Sequence, residues 1–77
     1  MSERTRYHVT PRPDGQWQGI REGADRASVL GNTQTEVVEQ MVKIAKNQEP
    51  SQLFIHRENG QVRDERTYGG DPYPPPG

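Results

Sequence analysis

The chain has 77 residues, of which 27% are hydrophobic and 27% are charged, with a formal net charge of −1 and no cysteine. This length allows one domain with a small core, and the lack of cysteine excludes disulfides and thiolate metal sites. Because the net charge is near zero and no run approaches the roughly 20 apolar residues of a membrane span, we expect a cytoplasmic protein without bulk attraction to membranes or nucleic acid.

Alternating side chains predict an N-terminal strand. Residues 1–5 are polar and are expected to be a disordered start. In residues 6–11, Tyr7 and Val9 fall on one side of the chain, as in a half-buried strand. The Pro-Asp-Gly segment at 13–15 supplies the chemistry of a turn, so a hairpin is expected here.

The returning strand is predicted over residues 16–22, with Trp17 in the core because it is the one tryptophan of the chain. Gly19 interrupts the alternation, which indicates a bulge or a close approach of another backbone. A bulge would also turn Ile20 toward the inner face, and we adopt this arrangement as the expectation. A short third strand is predicted over residues 26–29.

The clearest pattern is a helix over residues 33–48. Thr33 and Glu36 have the spacing of a capping box, and Asn32 is a competing N-cap. Pro50 ends the helix because the residue before a proline resists helical geometry. One face of this helix is apolar and is formed by Val37, Val38, Met41, Ile44 and Ala45.

A second hairpin is predicted after the helix. Residues 52–57 are rich in strand-forming side chains, and Asn-Gly at 59–60 is a strong hairpin signal because both positions accept positive φ. Residues 61–67 form an almost wholly polar strand. A two-residue loop would pair Ile55 with Asp64, so either the loop is longer or this is an edge strand whose charges oppose aggregation. The expected inward side chains are Leu53 and Ile55, and the outward ones are Phe54 and His56.

Together these elements predict an α+β fold, with an antiparallel sheet of four or five strands from two hairpins and one helix packed on one face. The single domain should span residues 6–67 and be followed by an extended, Gly- and Pro-rich tail at 68–77. The apolar side chains available for burial are Tyr7, Val9, Trp17, Ile20, Val29, Leu30, Val37, Val38, Met41, Ile44, Ala45, Leu53, Phe54, Ile55 and Val62.

Short motifs along the chain match a family pattern. They are Tyr7-His8-Val9, Pro11, Trp17, Arg21-Glu22-Gly23, Arg26-Ala27-Ser28, Thr33, Ala45, Ile55-His56, Gly60, Tyr68-Gly69, Asp71-Pro72, Pro74-Pro75 and Gly77. Through them, nearly the whole chain after Arg6 resembles a small uncharacterised bacterial family, domain of unknown function 2188. The sequence departs from the pattern at Gly19, where a branched aliphatic residue is expected, and at Pro76, where lysine is expected. The resemblance implies a single α+β domain and brings no activity.

The two histidines are the first candidates for chemistry. His8 and His56 are expected on the outer face of the sheet, near Arg63 and either Glu65 or Thr10. Two histidines and a carboxylate would begin a metal site, but no further ligand lies at short spacing. Ordinary surface packing is therefore the favoured interpretation, and neither a metal nor another cofactor is predicted.

No catalytic site is predicted. Ser28, a histidine and either Asp25 or Asp64 supply the residue types of a nucleophilic triad, but no strand–turn–helix elbow or oxyanion loop accompanies them. Since few apolar residues are left to line a pocket, we expect a protein that is not an enzyme.

The sequence favours a binding module. Small chains without disulfides are often stabilised by self-association, so the expected partner is a second copy of the chain or another protein. The candidate interaction face is formed by His8, Thr10, Gln18, Phe54, His56 and Arg63. The alternative is a small nucleic-acid-associated module, whose candidate anion contacts are Arg21, Arg26 and Arg57.

Overall fold

Five strands and one helix make up the computed structural model, which describes residues 4–69. The elements are β1 (Thr5–Pro11), β2 (Trp17–Arg21), β3 (Val29–Gly31), α1 (Gln34–Asn47), β4 (Ser51–His56) and β5 (Val62–Tyr68). The predicted α+β fold is confirmed, although the third strand lies later than the predicted 26–29. Regular structure runs one residue beyond 6–67 at each end, while 1–3 of the predicted start and 70–77 of the predicted tail lie outside the described residues.

The strands form one mixed sheet in the order β3-β2-β1-β4-β5. The pairs β2–β3, β1–β2 and β4–β5 are antiparallel, whereas β1 and β4 at the centre are parallel. This parallel pair differs from the predicted all-antiparallel sheet. It arises because α1 returns the chain to the end of the sheet where β1 begins, so β4 runs in the same direction as β1.

The helix begins at the predicted cap. Thr33 has an extended backbone, and its Oγ1 accepts a hydrogen bond from the Glu36 amide at 3.2 Å. The Glu36 carboxylate accepts in return from the amide of Asn32 at 3.3 Å, one residue before the cap. The first contact satisfies a backbone donor that the first helical turn leaves without a partner, and the second satisfies the amide just before the cap.

The core lies between α1 and the inner face of the sheet. Helix residues Val37, Met41 and Ala45 are buried against the sheet, and Val38 and Ile44 of the predicted stripe are partly buried beside them. The buried side chains of the sheet are Tyr7, Val9, Leu53 and Ile55, with Trp17, Val29 and Tyr68 packed partly against the cluster. The prediction was wrong for Leu30 and Val62, which are 55% and 46% exposed, because both lie on the sheet face away from the helix.

Helix α1 approaches the sheet closely at Gly19. The β1–β2 register continues through it without a shift, so the expected bulge is absent and Ile20 points away from the helix, opposite His8. A Cβ atom at Gly19 would overlap Sδ and Cγ of Met41. The glycine is therefore explained by a close approach, but of the Met41 side chain and not of another backbone as predicted.

Both hairpins close with the same turn. The segments 12–16 and 57–61 share the pattern Arg-x-Asp/Asn-Gly-Gln, and in each the arginine amide donates to the glutamine carbonyl at 2.7 Å. The Asp or Asn side chain accepts from the glutamine amide at 3.0 Å, and the glycine has φ of 90°. This is the three-residue loop with a left-handed glycine, longer than the two-residue loop considered from the sequence.

Replacing Gly19 by alanine is expected to lower the free energy of unfolding by about 1–3 kcal/mol, because fully buried Met41 cannot retreat without displacing the core. Urea unfolding followed by circular dichroism measures this loss. Met41→Ala removes the overlapping atoms, so Gly19→Ala should cost less in that background. Equal costs in the two backgrounds would show that the contact does not limit the packing.

Candidate functional site

The sheet face opposite α1, called here the open face, carries the outward side chains of all five strands. Its central row crosses four strands in the order Ile20, His8, Phe54 and Glu65. The His8 and Phe54 rings are stacked, with centroids 5.1 Å apart and an interplanar angle of 19°. The middle of the open face is therefore aromatic and aliphatic rather than charged.

His8 and His56 are joined in a chain of hydrogen bonds. His8 Nδ1 lies 3.0 Å from His56 Nε2. The outer nitrogen of His8, Nε2, lies 3.0 Å from Oε1 of Glu22, and the outer nitrogen of His56, Nδ1, lies 3.0 Å from the carbonyl oxygen of Gly60. This four-residue set is called the histidine relay below.

The hydrogen-bonding partners in the relay determine how many protons the two histidine rings need. A carboxylate and a carbonyl only accept, so each outer nitrogen must carry a hydrogen, and the contact between the rings needs one more. The two rings are thus satisfied by three N–H groups, one proton more than two neutral imidazoles hold. With fewer protons one of the three hydrogen bonds is lost, and with four the inner nitrogens present two N–H groups to each other.

Glu22 supplies the negative charge of the relay. The hydrogen bond from His8 is the largest cause that lowers the pKa of Glu22 below its ordinary value of 4.5; desolvation opposes this shift, and the positive charge of Arg6 adds to it. Arg6 Nη1 lies 3.6 Å from Oε2 of Glu22. The carboxylate therefore stays ionised beside the rings at neutral pH.

A second set of polar contacts continues along the open face. Gln18 donates to Thr10 Oγ1 at 3.1 Å and accepts from Arg12 Nη1 at 3.0 Å. Five residues of the candidate interaction face therefore lie together on this side of the sheet, namely His8, Thr10, Gln18, Phe54 and His56.

Arg63, the sixth residue of that face, lies elsewhere. Its Nη1 donates to Gln34 Oε1 at 2.6 Å, on the helix side of the sheet. The β4–β5 register shifts between the pairs Ile55–Asp64 and His56–Val62, so Arg63 is the extra residue of a bulge and faces opposite to its expected direction.

The carboxylate beside the histidines was not foreseen. The sequence suggested Glu65, which pairs with Phe54, whereas the partner of His8 is Glu22. Recognising the three-residue turn at 12–16 would have fixed the register, placing Ile20 opposite His8 and Glu22 diagonal to it.

The three candidate anion contacts lie apart. Arg21 pairs with Tyr7 toward the end of the sheet where β1 begins, Arg57 follows β4 at the opposite end, and Arg26 is exposed in the β2–β3 loop. Arg57 and Arg63 line one surface depression, and Arg21 lines another with Arg6. The structure thus brings none of the three together.

Within residues 4–69, no group of three or more histidine, aspartate or glutamate side chains is placed to hold a metal ion. None of the helices in this range is long and apolar enough to cross a membrane. The histidine relay is the place where titratable side chains converge on the open face.

The family profile described as "Uncharacterized protein conserved in bacteria (DUF2188)" matches residues 7–68. The chain belongs to this family. No curated protein and no solved structure matches the chain significantly. The matched range begins within β1 and ends with β5, so the family unit coincides with the sheet, the helix and the histidine relay.

Glu22→Gln is expected to reduce the dependence of stability on pH in the acid range. Because the pKa of Glu22 is lowered in the folded chain, the ionised carboxylate stabilises the fold above 4.5, and this contribution is lost as the pH falls below that value. The difference in unfolding free energy between wild type and Glu22→Gln should therefore be larger at neutral pH than well below 4.5. Glu39→Gln, on the exposed face of α1, is the matched control, and a difference that does not change with pH would contradict the role of Glu22.

Proposed function

We propose that this chain is a non-catalytic interaction module that self-associates through the open face. The observation that supports it most is the pair of apolar side chains in the central row, Ile20 and Phe54, with exposed Leu30 and Val62 toward the two edges. Helix α1 packs on the opposite side of the sheet, and Ile20 and Phe54 are half-buried, whereas Leu30 and Val62 are exposed. Large apolar side chains gathered on one sheet face are typical of interaction sites.

A second copy of the chain is the partner that the surface suits. The open face carries both signs of charge, with Arg6 and Arg12 on β1 and its following turn and Glu22 and Glu65 at the flanks. The net charge of −1 gives little repulsion between copies. In a twofold arrangement the same apolar patch meets itself, which is the commonest geometry of homodimers.

The size of the open face sets the strength of the association. Five strands at about 4.8 Å spacing and about 20 Å of strand length give a footprint of roughly 500 Å² per copy. The total buried area would be roughly 1,000 Å², below the about 1,600 Å² of a standard stable interface. We therefore expect a reversible dimer of micromolar or weaker affinity.

The geometry of the polar groups supports a role in binding without catalysis. Among residues 4–69, neither histidine is hydrogen-bonded to a serine, since their partners are each other, Glu22 and the Gly60 carbonyl. An activated nucleophile needs a base within hydrogen-bonding reach. The separation of Arg21, Arg26 and Arg57 likewise favours a protein partner over a nucleic acid backbone.

Analytical ultracentrifugation over a wide concentration range tests this function. The wild-type chain should show an average mass that rises with concentration, and Phe54→Glu should abolish the rise by placing a charge in the central row. Leu30→Glu, at a position that is already 55% exposed, tests the same face with less risk to folding. Both variants should weaken association at least tenfold.

Gln40→Glu is the matched control, because it adds the same charge on the exposed side of α1. It should associate as wild type does. A strictly monomeric wild type at millimolar concentration, or equal weakening by Gln40→Glu and Leu30→Glu, would show that the open face is not a self-association surface.

A further inference from the structure

The inner nitrogens of the histidine relay face each other with no oxygen acceptor between them. The carboxylate of Glu22 and the carbonyl of Gly60 require hydrogens on the outer nitrogens, Nε2 of His8 and Nδ1 of His56. When both rings are neutral, the two inner nitrogens, Nδ1 of His8 and Nε2 of His56, each present a lone pair to the other, 3.0 Å apart. Two lone pairs held this close repel each other unless a cation lies between or beside them.

We infer that His8 Nδ1 and His56 Nε2 are the two protein ligands of a binding site for a transition-metal ion of the kind that imidazole prefers, such as Zn²⁺. A shared proton satisfies the same pair in the absence of metal. Neutral imidazole nitrogens are common ligands of zinc, copper and nickel. Water molecules complete the coordination shell, so the site needs no third protein ligand.

The outer partners are those that metal-binding histidines use. A ligating histidine almost always donates its other N–H to a carboxylate, a backbone carbonyl or water, which fixes the tautomer and the ring orientation. Here Glu22 provides the carboxylate for one ring and Gly60 the carbonyl for the other, each at 3.0 Å. Both supporting contacts are therefore in place before a metal binds.

The spacing of the inner nitrogens suits one shared ion. With zinc–nitrogen bonds of about 2.0–2.1 Å and tetrahedral angles, two ligand nitrogens lie about 3.3 Å apart. The observed 3.0 Å differs from this by a few tenths of an ångström. Tetrahedral geometry places the ion beside the line that joins the nitrogens, so each lone pair must turn about 35° from that line when the ion binds.

The surroundings hold the rings but leave a path for the ion. The Phe54 ring is stacked on His8 and restricts its tilt. The side chain of His8 is 24% exposed and that of Glu22 is 51% exposed, so solvent reaches the relay from the open face. His56 is fixed from the far side by the 57–61 turn that carries Gly60.

The site does not depend on the proposed self-association, because both ligands come from one copy. The two proposals are separated by measuring metal binding in Leu30→Glu, which is expected to be monomeric and leaves the relay unchanged. Retained binding in that variant supports a site within one chain. Loss of binding in that variant alone, with its fold intact, would overturn the assignment to a single copy.

Isothermal titration of the chelator-treated full chain with Zn²⁺ is the first test. His8→Gln and His56→Gln should each weaken Zn²⁺ binding at least tenfold, and Glu22→Gln, which keeps both ligands, should weaken it about tenfold through the loss of the outer contact. Glu39→Gln on α1 should bind as wild type does. If the wild type does not bind Zn²⁺, or binds it no more tightly than either histidine variant does, the proposed site is wrong.

Ring-nitrogen NMR of the wild type gives a test that does not depend on variants folding. Zn²⁺ should shift the ¹⁵N resonances of His8 Nδ1 and His56 Nε2, while Nε2 of His8 and Nδ1 of His56 keep their protons. Loss of the protons at the outer nitrogens, or shifts at one ring alone, would contradict coordination by the facing pair.

Discussion

A single helix seated on one face of a five-stranded sheet is the constraint on which the rest of this structure depends. Gly19 allows Met41 to approach the β2 backbone, and the fully buried Val37, Met41 and Ala45 form the contact between the helix and the sheet. A 14-residue helix is about 21 Å long and about 10 Å across, and it packs on β1, β2, β3 and β4 but leaves most of β5 uncovered. The exposed, charged sequence of β5 is a consequence, because that strand lies at the uncovered edge.

The same constraint leaves the open face without a covering layer, and its side chains are ordered by contacts within the sheet plane. His8 stacks on Phe54, the two histidines bond to each other, and Gln18 bridges Thr10 and Arg12. These contacts run across neighbouring strands, where side chains on one face are close enough to interact. A surface whose rotamers are fixed before binding loses less entropy when a partner or an ion arrives, which is why this face rather than the helix surface carries both proposals.

The local elements were readable from the sequence because each depends on residues close together in the chain. The helix follows from its apolar stripe and the Thr33 cap, and the inward and outward residues of β4 follow from alternation. The parallel pairing of β1 with β4 was not readable, since it depends on where the whole β3–α1–β4 connection returns the chain. Turn residues at 13–15 and 59–60 predict both hairpins, but the register of each depends on the whole Arg-x-Asp/Asn-Gly-Gln segment that closes the turn.

For the same reason, only part of the candidate site was predictable from the sequence. Alternation alone places His8 and His56 on one face, but their contact requires the β1–β4 register, and the partnership of Glu22 with His8 requires the β1–β2 register. Arg63 was misplaced because one extra residue in β5 reverses the side of the sheet that a side chain faces. An error in register therefore assigns functional side chains to the wrong face of the sheet, even where every strand is correctly predicted.

Charge balance connects the two proposals for the open face. When the two rings share one extra proton beside the Glu22 carboxylate, the four residues of the relay carry no net charge, so an apolar partner surface can cover them without burying a net charge. A divalent ion in place of that proton leaves the relay with one net positive charge. Since burying an unpaired charge is costly, the metal-bound face with water ligands is the poorer surface for self-association. If both proposals hold, self-association is therefore expected to be weaker with a metal in the relay than with a shared proton there.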